Sequence, residues 1–405
     1  MFQVQKTKVN NKILSFLEEN FKGDRVIWVI ILCLFIVSMI SVYSATGSLV
    51  YKMNVGHETY LIKQIGISIL GIFLIYFTHI VNYKHYSRIA QLLWYISIPL
   101  LIYTMAYGRH INGASRGLTL PLIGLTFQPS DLAKIALIMF LARQLAVNQE
   151  KMKEFKDVMY SLILPIAITC LLIARDNLST ALILYFTSVL VMFIGRVSIK
   201  NLSILASLTL IAAAIFITLL YTVPEPVQRK YSERSVIWKH RIDSYISGVK
   251  ADDIDPDEDY QVQQAKIAIS KGGLFRLNPG GSDQRNYLPE AYNDFIYVII
   301  VEEYGLLGGA FVLLLYIFFL YRCIKMVINA PRTFGALLAV GLGIALVTQA
   351  MINMAVAVDL LPVTGVTLPL VSMGGSSVVF TSIAFGVILS VSRNIQEEQQ
   401  ISGIP

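Results

Sequence analysis

Two carboxylates, Glu290 and Asp294, stand at the mouth of a long apolar run in YLPEAYNDFIYVII, residues 287–300. A carboxylate in that position can cap a helix start, where the dipole favours an anion, or take a proton from a hydroxyl as a general base. Burial beside lipid works against the anion, and a base needs that effect to offset the first. The residues alone leave both jobs open. A second group lies in GRHINGASRGLTLPLIGLTFQPSDLAKIALIMFLARQL, residues 108–145. Here a Gly-Ala-Ser turn carries Arg116, and QPSD leads straight into an apolar stretch. Ser130 or Asp131 is a natural N-cap, and Lys134, three residues on, shares the face of Asp131. A capping acid with a snorkelling lysine, or a salt bridge that fixes the helix, accounts for the pair. A lysine at the head of IALIMFLA would still cost about 2.5–3.5 kcal/mol at a bilayer centre, so it needs a partner or a water-filled cavity. A third group is Gln349 and Asn353, at i and i+4 and hence on one helix face. Interhelical hydrogen bonds explain such a pair at about 0.6–2 kcal/mol each; a functional role is the alternative. LPVTGVTLPLVSMGGSS then brings Pro362, Pro369 and the small run from Gly374 to Ser377. Small residues allow close helix approach, and amides at a helix start can hold an anion.

These residues need a scaffold, and the composition says which. Of 405 residues 55% are hydrophobic and 15% charged, and the mean hydropathy is +0.63. A soluble chain is nearer one quarter charged. The apolar residues cluster into runs of the roughly 20 residues that cross a hydrocarbon core. The expected fold is an all-α polytopic membrane protein with ten spans, over about 26–46, 61–81, 87–107, 131–147, 158–175, 179–195, 201–221, 295–321, 334–355 and 376–392. The first run, behind a polar segment, reads as a retained span, since a cleaved signal has an apolar region of roughly 7–15 residues. The expected divisions are a cytoplasmic segment 1–25, a single integral domain 26–392 and a cytoplasmic tail 393–405. Both termini then share one side. Lys6, Lys8, Lys12, Lys151, Lys153 and Lys156 make that side cytoplasmic, whereas the short outer loops carry Lys52, Lys63, Arg109, Arg116 and Arg175. A long outer loop, about 222–293, holds a mixed-charge stretch, the acidic patch DDIDPDED and the helically spaced YQVQQAKIAISKGGLF. The patch reads as a solvated turn. The formal charge of +7 reflects orientation, so nucleic-acid binding is not implied. Cys33, Cys170 and Cys323 show no pairing or zinc spacing, and the five histidines form no ligand cluster.

Five stretches together resemble the SEDS family (shape, elongation, division and sporulation) of membrane peptidoglycan glycosyltransferases. They are NGASRG, QPSDLAKIAL, YQVQQAKIAISKGGLF, YLPEAYNDFIYVIIVEEYGLLGG and QAMINMAVAVDLLPVTGVTLPLVSMGGSS, in family order between about residues 112 and 380. LPEA and TLPL look more like the cell-division branch than the elongation branch. The departures are Asp131 for the usual Glu, Gly117 for a Trp, Tyr292-Asn293 for His-Thr, Met373 for a Tyr, and Asn177 in an acid's place. Asp294 stands in the position of the family's essential aspartate. The resemblance implies lipid II and a growing undecaprenyl-pyrophosphate-linked glycan as substrates, with inversion at MurNAc C1 and Asp294 as general base. It implies that Arg116 and Lys134 steady the pyrophosphate, that Asp131 orients Lys134, and that Gln128, Glu290, Ser376 and Ser377 also contact substrate. Gln349 and Asn353 would be polar helix contacts. No cofactor is demanded; a divalent cation, magnesium or manganese, could assist. The implied partners are a class B penicillin-binding protein, a transpeptidase, and other division proteins, at the septum of a bacterial cytoplasmic membrane. A lipid II flippase, or a scaffold that only recruits the transpeptidase, is the alternative. A scaffold would tolerate Asp294→Asn, and a flippase would place its site near the midplane.

Overall fold

The computed structural model describes residues 21–47, 57–111, 114–119, 126–149, 152, 154–231, 233–247, 258–288, 291–330 and 332–402. The helices that build the bundle are α1 (Arg25–Ala45), α2 (His57–Ile80), α3 (Tyr83–Tyr107), α4 (Pro129–Val147), α5 (Phe155–Ala174), α6 (Leu178–Ile194) and α7 (Ile199–Thr222). After three helices of the long loop, α8 (Glu225–Tyr231), α9 (Glu233–Ser247) and α10 (Glu258–Gly272), come α11 (Ile296–Asn329), α12 (Thr333–Ala357) and α13 (Gly375–Ser402). Each expected span falls on one of these helices. Among the described residues eight are long and apolar enough to cross a membrane. Of the remaining two, α6 is shorter, at 17 residues, and α4 carries Asp131, Lys134 and Arg143. α13 runs ten residues past its expected end at 392, to Ser402, because the polar RNIQEEQQIS continues the helix without a breaker. One π-helical turn, Met159–Ile163, interrupts α5 just before Pro165, whose missing N–H removes a helical bond.

The fold is helical, as expected, with one addition. In the second interhelical loop β1 (Arg109–Ile111), β2 (Ala114–Thr119) and β3 (Thr126–Phe127) form a small antiparallel sheet in the order β1-β2-β3. Short strands in a Gly-rich loop leave no long alternating pattern to read.

Packing is centred on α12 and α13. In each, 72% of the apolar window is buried by protein, against 6% for α7. Between helices in lipid, close approach of small residues replaces the hydrophobic drive. Gly386 on α13 is the tightest case: a Cβ there would lie 1.8 Å from Thr78 Oγ1 and 2.6 Å from the Ile75 carbonyl of α2. Larger rings fill the spaces elsewhere, with Trp94 stacked on Phe140 at 4.7 Å and Phe319 against Phe385 at 4.6 Å. At the far end of α1, Asp24 accepts the Val26 N–H at 2.9 Å and pairs with Arg322 of α11 at 2.5 Å.

α11 is not one rod. Gly305 has φ 69° and ψ −176°, which divides the helix into arms 296–304 and 306–329. The long arm alone, at 1.5 Å per residue, spans about 36 Å, enough for a hydrocarbon core of about 30 Å. The short arm folds back. A Cβ on Gly309 would meet Tyr297 Oη and Val301 Cγ2, each at 2.8 Å, whereas a straight helix separates positions 297 and 309 by about 18 Å. A side chain at 305 would also strike the Leu274 carbonyl at 2.8 Å, so glycine is required there by both φ and space.

Gly386→Ala should therefore lower thermal stability in detergent, by the roughly 1–3 kcal/mol of an overpacked core. Gly66→Ala, where a Cβ meets nothing within 4 Å, should be neutral or slightly stabilising. Equal melting temperatures for the two variants would contradict the α2–α13 contact.

Candidate functional site

The fold-back of α11 carries Asp294 against α12. Asp294 is not in the N-cap position, which Phe295 holds without a side-chain cap bond of its own. The Asp294 carbonyl accepts from Asn353 Nδ2 at 2.8 Å, and the same amide donates to the Val366 carbonyl at 2.7 Å. The neighbouring residues are held as firmly. Ser372 Oγ donates to the Asn293 carbonyl at 2.6 Å, and the Met373 N–H donates to the Tyr292 carbonyl at 2.9 Å. Asn353 and the segment 366–373 thus fix the backbone at Asp294 from two sides.

One turn along α12, Gln349 opens a polar chain. Its Nε2 donates to the Thr367 carbonyl at 2.9 Å, while its Oε1 accepts from Lys134 Nζ at 3.4 Å. Lys134 also pairs with Asp131 at 2.9 Å, and Ser376 Oγ donates to the other Asp131 oxygen at 3.1 Å. Thr367 and Ser377 share a hydrogen bond at 2.8 Å. The side chains of Asp131 and Lys134 are 8% and 22% exposed, so the pair is largely desolvated. An ammonium has three donors, and these contacts use two, which leaves one for an anion. Below the chain a cavity of about 40 Å³ continues between α4, α6, α12 and α13, walled by Ile135, Ile138, Leu184, Leu346 and Phe380. Its rim is polar and its walls are apolar.

Asp131, Lys134, Gln349, Ser376 and Ser377, all named from the sequence, come together in this network. Neither Ser130 nor Asp131 is the N-cap of α4, however. Gln128 holds that place without a side-chain cap bond, because Pro129 at the first helical position starts the helix early. Gln128 instead donates to Ser130 at 3.0 Å. Gln349 bonds across helices to Lys134 of α4, and both Gln349 and Asn353 also donate to backbone carbonyls of irregular segments. Asn177, in the acid's place, caps α6 by accepting the Thr180 N–H at 3.0 Å. Arg116 is the extra residue of a β-bulge: Arg109 pairs with Gly117 and His110 with Ser115, which skips it. Bulges of this kind re-aim chains beside sites. β3 leads into Gln128, and Phe127 packs edge-on against Phe380 at 5.5 Å, so the bulged hairpin is tied to α13. Glu290 and most of the acidic patch lie outside the described residues. Missed altogether were Thr367, which links Gln349 to Ser377, and Glu302 and Glu303. The signal for the two acids was available, since adjacent carboxylates inside an apolar run demand a buried partner.

Among the described residues no group of three or more His, Cys, Asp or Glu side chains could hold a metal ion. A divalent cation here would take most of its ligands from a phosphate-bearing ligand and water.

Replacing Asn353 with Leu removes the donor shared by the Asp294 and Val366 carbonyls. It should destabilise the protein by about 1–3 kcal/mol, the cost of unpaired buried acceptors. Asn353→Asp, which faces those carbonyls with oxygens, should cost more. Unfolding of the purified variants tests this, and a neutral Asn353→Leu would refute the linkage.

Comparison with known proteins agrees with this architecture. The family model FTSW_RODA_SPOVE, described as cell cycle protein, matches residues 24–397. Stage V sporulation protein E of Bacillus subtilis (strain 168) is 31% identical over 91% of this chain and 97% of its own. A probable peptidoglycan glycosyltransferase FtsW of Geobacter sp. (strain M18) is 34% identical over 73% and 76%, respectively. The peptidoglycan glycosyltransferase MrdB of Escherichia coli (strain K12) is 29% identical over 91% and 93%. Among solved structures, a chain from work on structural coordination of polymerization and crosslinking by a peptidoglycan synthase complex superposes with a TM-score of 0.72. It is 23% identical, over 92% of this chain and 98% of that one. Thermus thermophilus RodA gives a TM-score of 0.64 at 24% identity, over 92% and 97%. These two likenesses bear on the fold, which they share. The family match and the sporulation relative go further: this integral membrane protein belongs to the SEDS family of FtsW, RodA and SpoVE cell cycle proteins.

Proposed function

We propose that this protein is a peptidoglycan glycosyltransferase that polymerises lipid II at the outer face of a bacterial cytoplasmic membrane. Family membership supports the activity, as do relatives that are named peptidoglycan glycosyltransferases. The observation that carries the reading is the seating of Asp294. It is held by its backbone to Asn353, one turn along α12 from Gln349, which bonds to the largely buried Lys134–Asp131 pair. The lysine and arginine distribution supports cytoplasmic termini, which would turn this end of the bundle outward.

In the proposed reaction the 4-hydroxyl of a GlcNAc on one lipid II attacks MurNAc C1 of the growing chain. A carbon–oxygen bond forms at C1 with inversion, and the bond from C1 to the lipid pyrophosphate breaks. Asp294 takes the hydroxyl proton, a contribution of about 10²–10⁴-fold. Undecaprenyl pyrophosphate leaves with its charge steadied by Lys134, whose remaining donor is available, and by Arg116 from the bulged hairpin. Asp131 and Gln349 fix the ammonium. Gln128, Glu290, Ser376 and Ser377 complete the proposed substrate contacts, with Ser376 acting through Asp131. A class B transpeptidase is the proposed partner, because a chain of a synthase that polymerises and crosslinks shares this fold. A role at the division septum follows the likeness to FtsW.

A broken helix beside buried charge is also what transporters use, and the break in α11 gives the flippase reading its one structural argument. Purified protein with its class B transpeptidase, supplied with labelled lipid II, separates the readings. Wild type should give a glycan ladder that Asp294→Asn lowers by at least about 10²-fold. Lys134→Ala should lower it by about 10-fold or more through the leaving group. A full ladder from Asp294→Asn would remove the base, and translocation without polymerisation by wild type would favour the flippase.

A further inference from the structure

Glu302 and Glu303, on the short arm that follows Asp294, are 0% and 1% exposed and take no part in the Lys134 network. Adjacent carboxylates in such a place are costly unless their oxygens are filled. The long loop and α1 fill three of the four oxygens, and Glu303 Oε2 is left buried with no partner among the described residues. One oxygen of Glu302 accepts the N–H of Asp283 at 3.1 Å and that of Gln284 at 3.3 Å, and the other accepts the Ser282 hydroxyl. Glu303 accepts the Ser282 N–H at 3.2 Å and the hydroxyl of Ser44 on α1. Arg285 then donates to the Ser44 carbonyl at 3.2 Å. The same segment closes the break in the helix. The N–H groups of Leu306 and Leu307 donate to the carbonyls of Gly273 at 3.0 Å and Leu274 at 3.2 Å, and the Asn278 N–H donates to the Glu303 carbonyl at 3.0 Å. Loop residues 273–285 stand in for the missing turn of α11.

We propose that Glu302 is a positioning residue for Asp294. By fastening 282–284 to the hinge it sets the angle between the arms of α11, and hence where Asp294 sits relative to Asn353 and Lys134. The leverage is large. The short arm is about 13 Å long, so a 10° change at Gly305 moves its far end by about 2 Å, and misplacement of about 1 Å can cost roughly 10²-fold in rate. Ser282 and Glu302 are 20 residues apart in sequence, and the ring that they close contains Asp294. The helices α8 to α10 lie outside that ring, and the end of α10 packs on the short arm, where a Cβ on Gly272 would meet the Val301 carbonyl at 2.1 Å. The role rests on the glycosyltransferase reading.

The test measures lipid II polymerisation by the full-length chain with its class B transpeptidase, with wild type and Asp294→Asn as references. Glu302→Ala should lower kcat by about 10²-fold and change KM for lipid II by less than about 2-fold. Glu302→Gln keeps the oxygen that accepts both loop N–H groups, and should recover to within about 5-fold of wild type. The clamp can also be opened from the loop side with both acids intact. Asp283 has φ −79°, which proline tolerates, so Asp283→Pro deletes one donor and sets the ring Cδ against the Glu302 oxygen that accepted it. It should lower kcat by about 5–10-fold, whereas Asp283→Ala, which keeps the N–H but loses the exposed pair with Lys271, should not. A wild-type kcat in Glu302→Ala or Asp283→Pro would overturn the proposal, as would a loss expressed in KM or an equal loss in Glu302→Gln. An inactive wild type would instead defeat the glycosyltransferase reading, and this role with it. Variants that misfold are recognised by their melting temperatures, and the paired Asp283 variants then decide.

Discussion

A buried helix can break only where other protein groups take over the freed N–H and C=O, because leaving them unpaired away from water costs free energy. That constraint governs α11. Gly305 makes the turn sterically possible, but the arms can separate only because loop carbonyls 273 and 274 receive the Leu306 and Leu307 amides. The long loop is therefore not an appendage to a finished bundle. It completes the helix that carries Asp294, and the short arm in turn gives that loop two buried carboxylates to fold around.

The same logic of filled valences shapes the other half of the site. Lys134 is too costly to leave unpaired in apolar surroundings, and each partner that it finds belongs to a different part of the chain. Asp131 comes from its own helix and Gln349 from α12; Ser376 reaches Asp131 from the start of α13. Thr367 closes the chain by bonding to both Gln349 and Ser377. No single element owns this network, so a shift in any of them disturbs the others. Such mutual dependence rigidifies a site when every member is satisfied. Such rigidity suits the proposed reaction between two lipid-borne sugars, whose tails cannot leave the bilayer to find a better geometry.

Much of this was legible in the residues. Runs of apolar side chains separated by polar breaks locate each membrane helix, because burial in hydrocarbon acts on composition over about 20 residues and needs no knowledge of neighbours. The i, i+3 spacing of Asp131 and Lys134, and the i, i+4 spacing of Gln349 and Asn353, likewise fix which side chains share a face. Ranges failed where a local signal was missing. The polar end of α13 carries no breaker, and the bulge at Arg116 lies in strands too short to show a period.

What the sequence could not settle was the meaning of its polar residues. Asp294 precedes an apolar run as a cap would, yet the helix starts one residue later and turns back on itself at Gly305. Glu302 and Glu303 read as an oddity within a span until Ser282, Asp283 and Gln284 are brought to them from across a ring of the chain. Local sequence determines propensity and hydrophobic period, which are properties of neighbours along the chain. Satisfying a buried charge or an interrupted helix depends on groups far away in sequence, and only the tertiary structure decides which of them arrive.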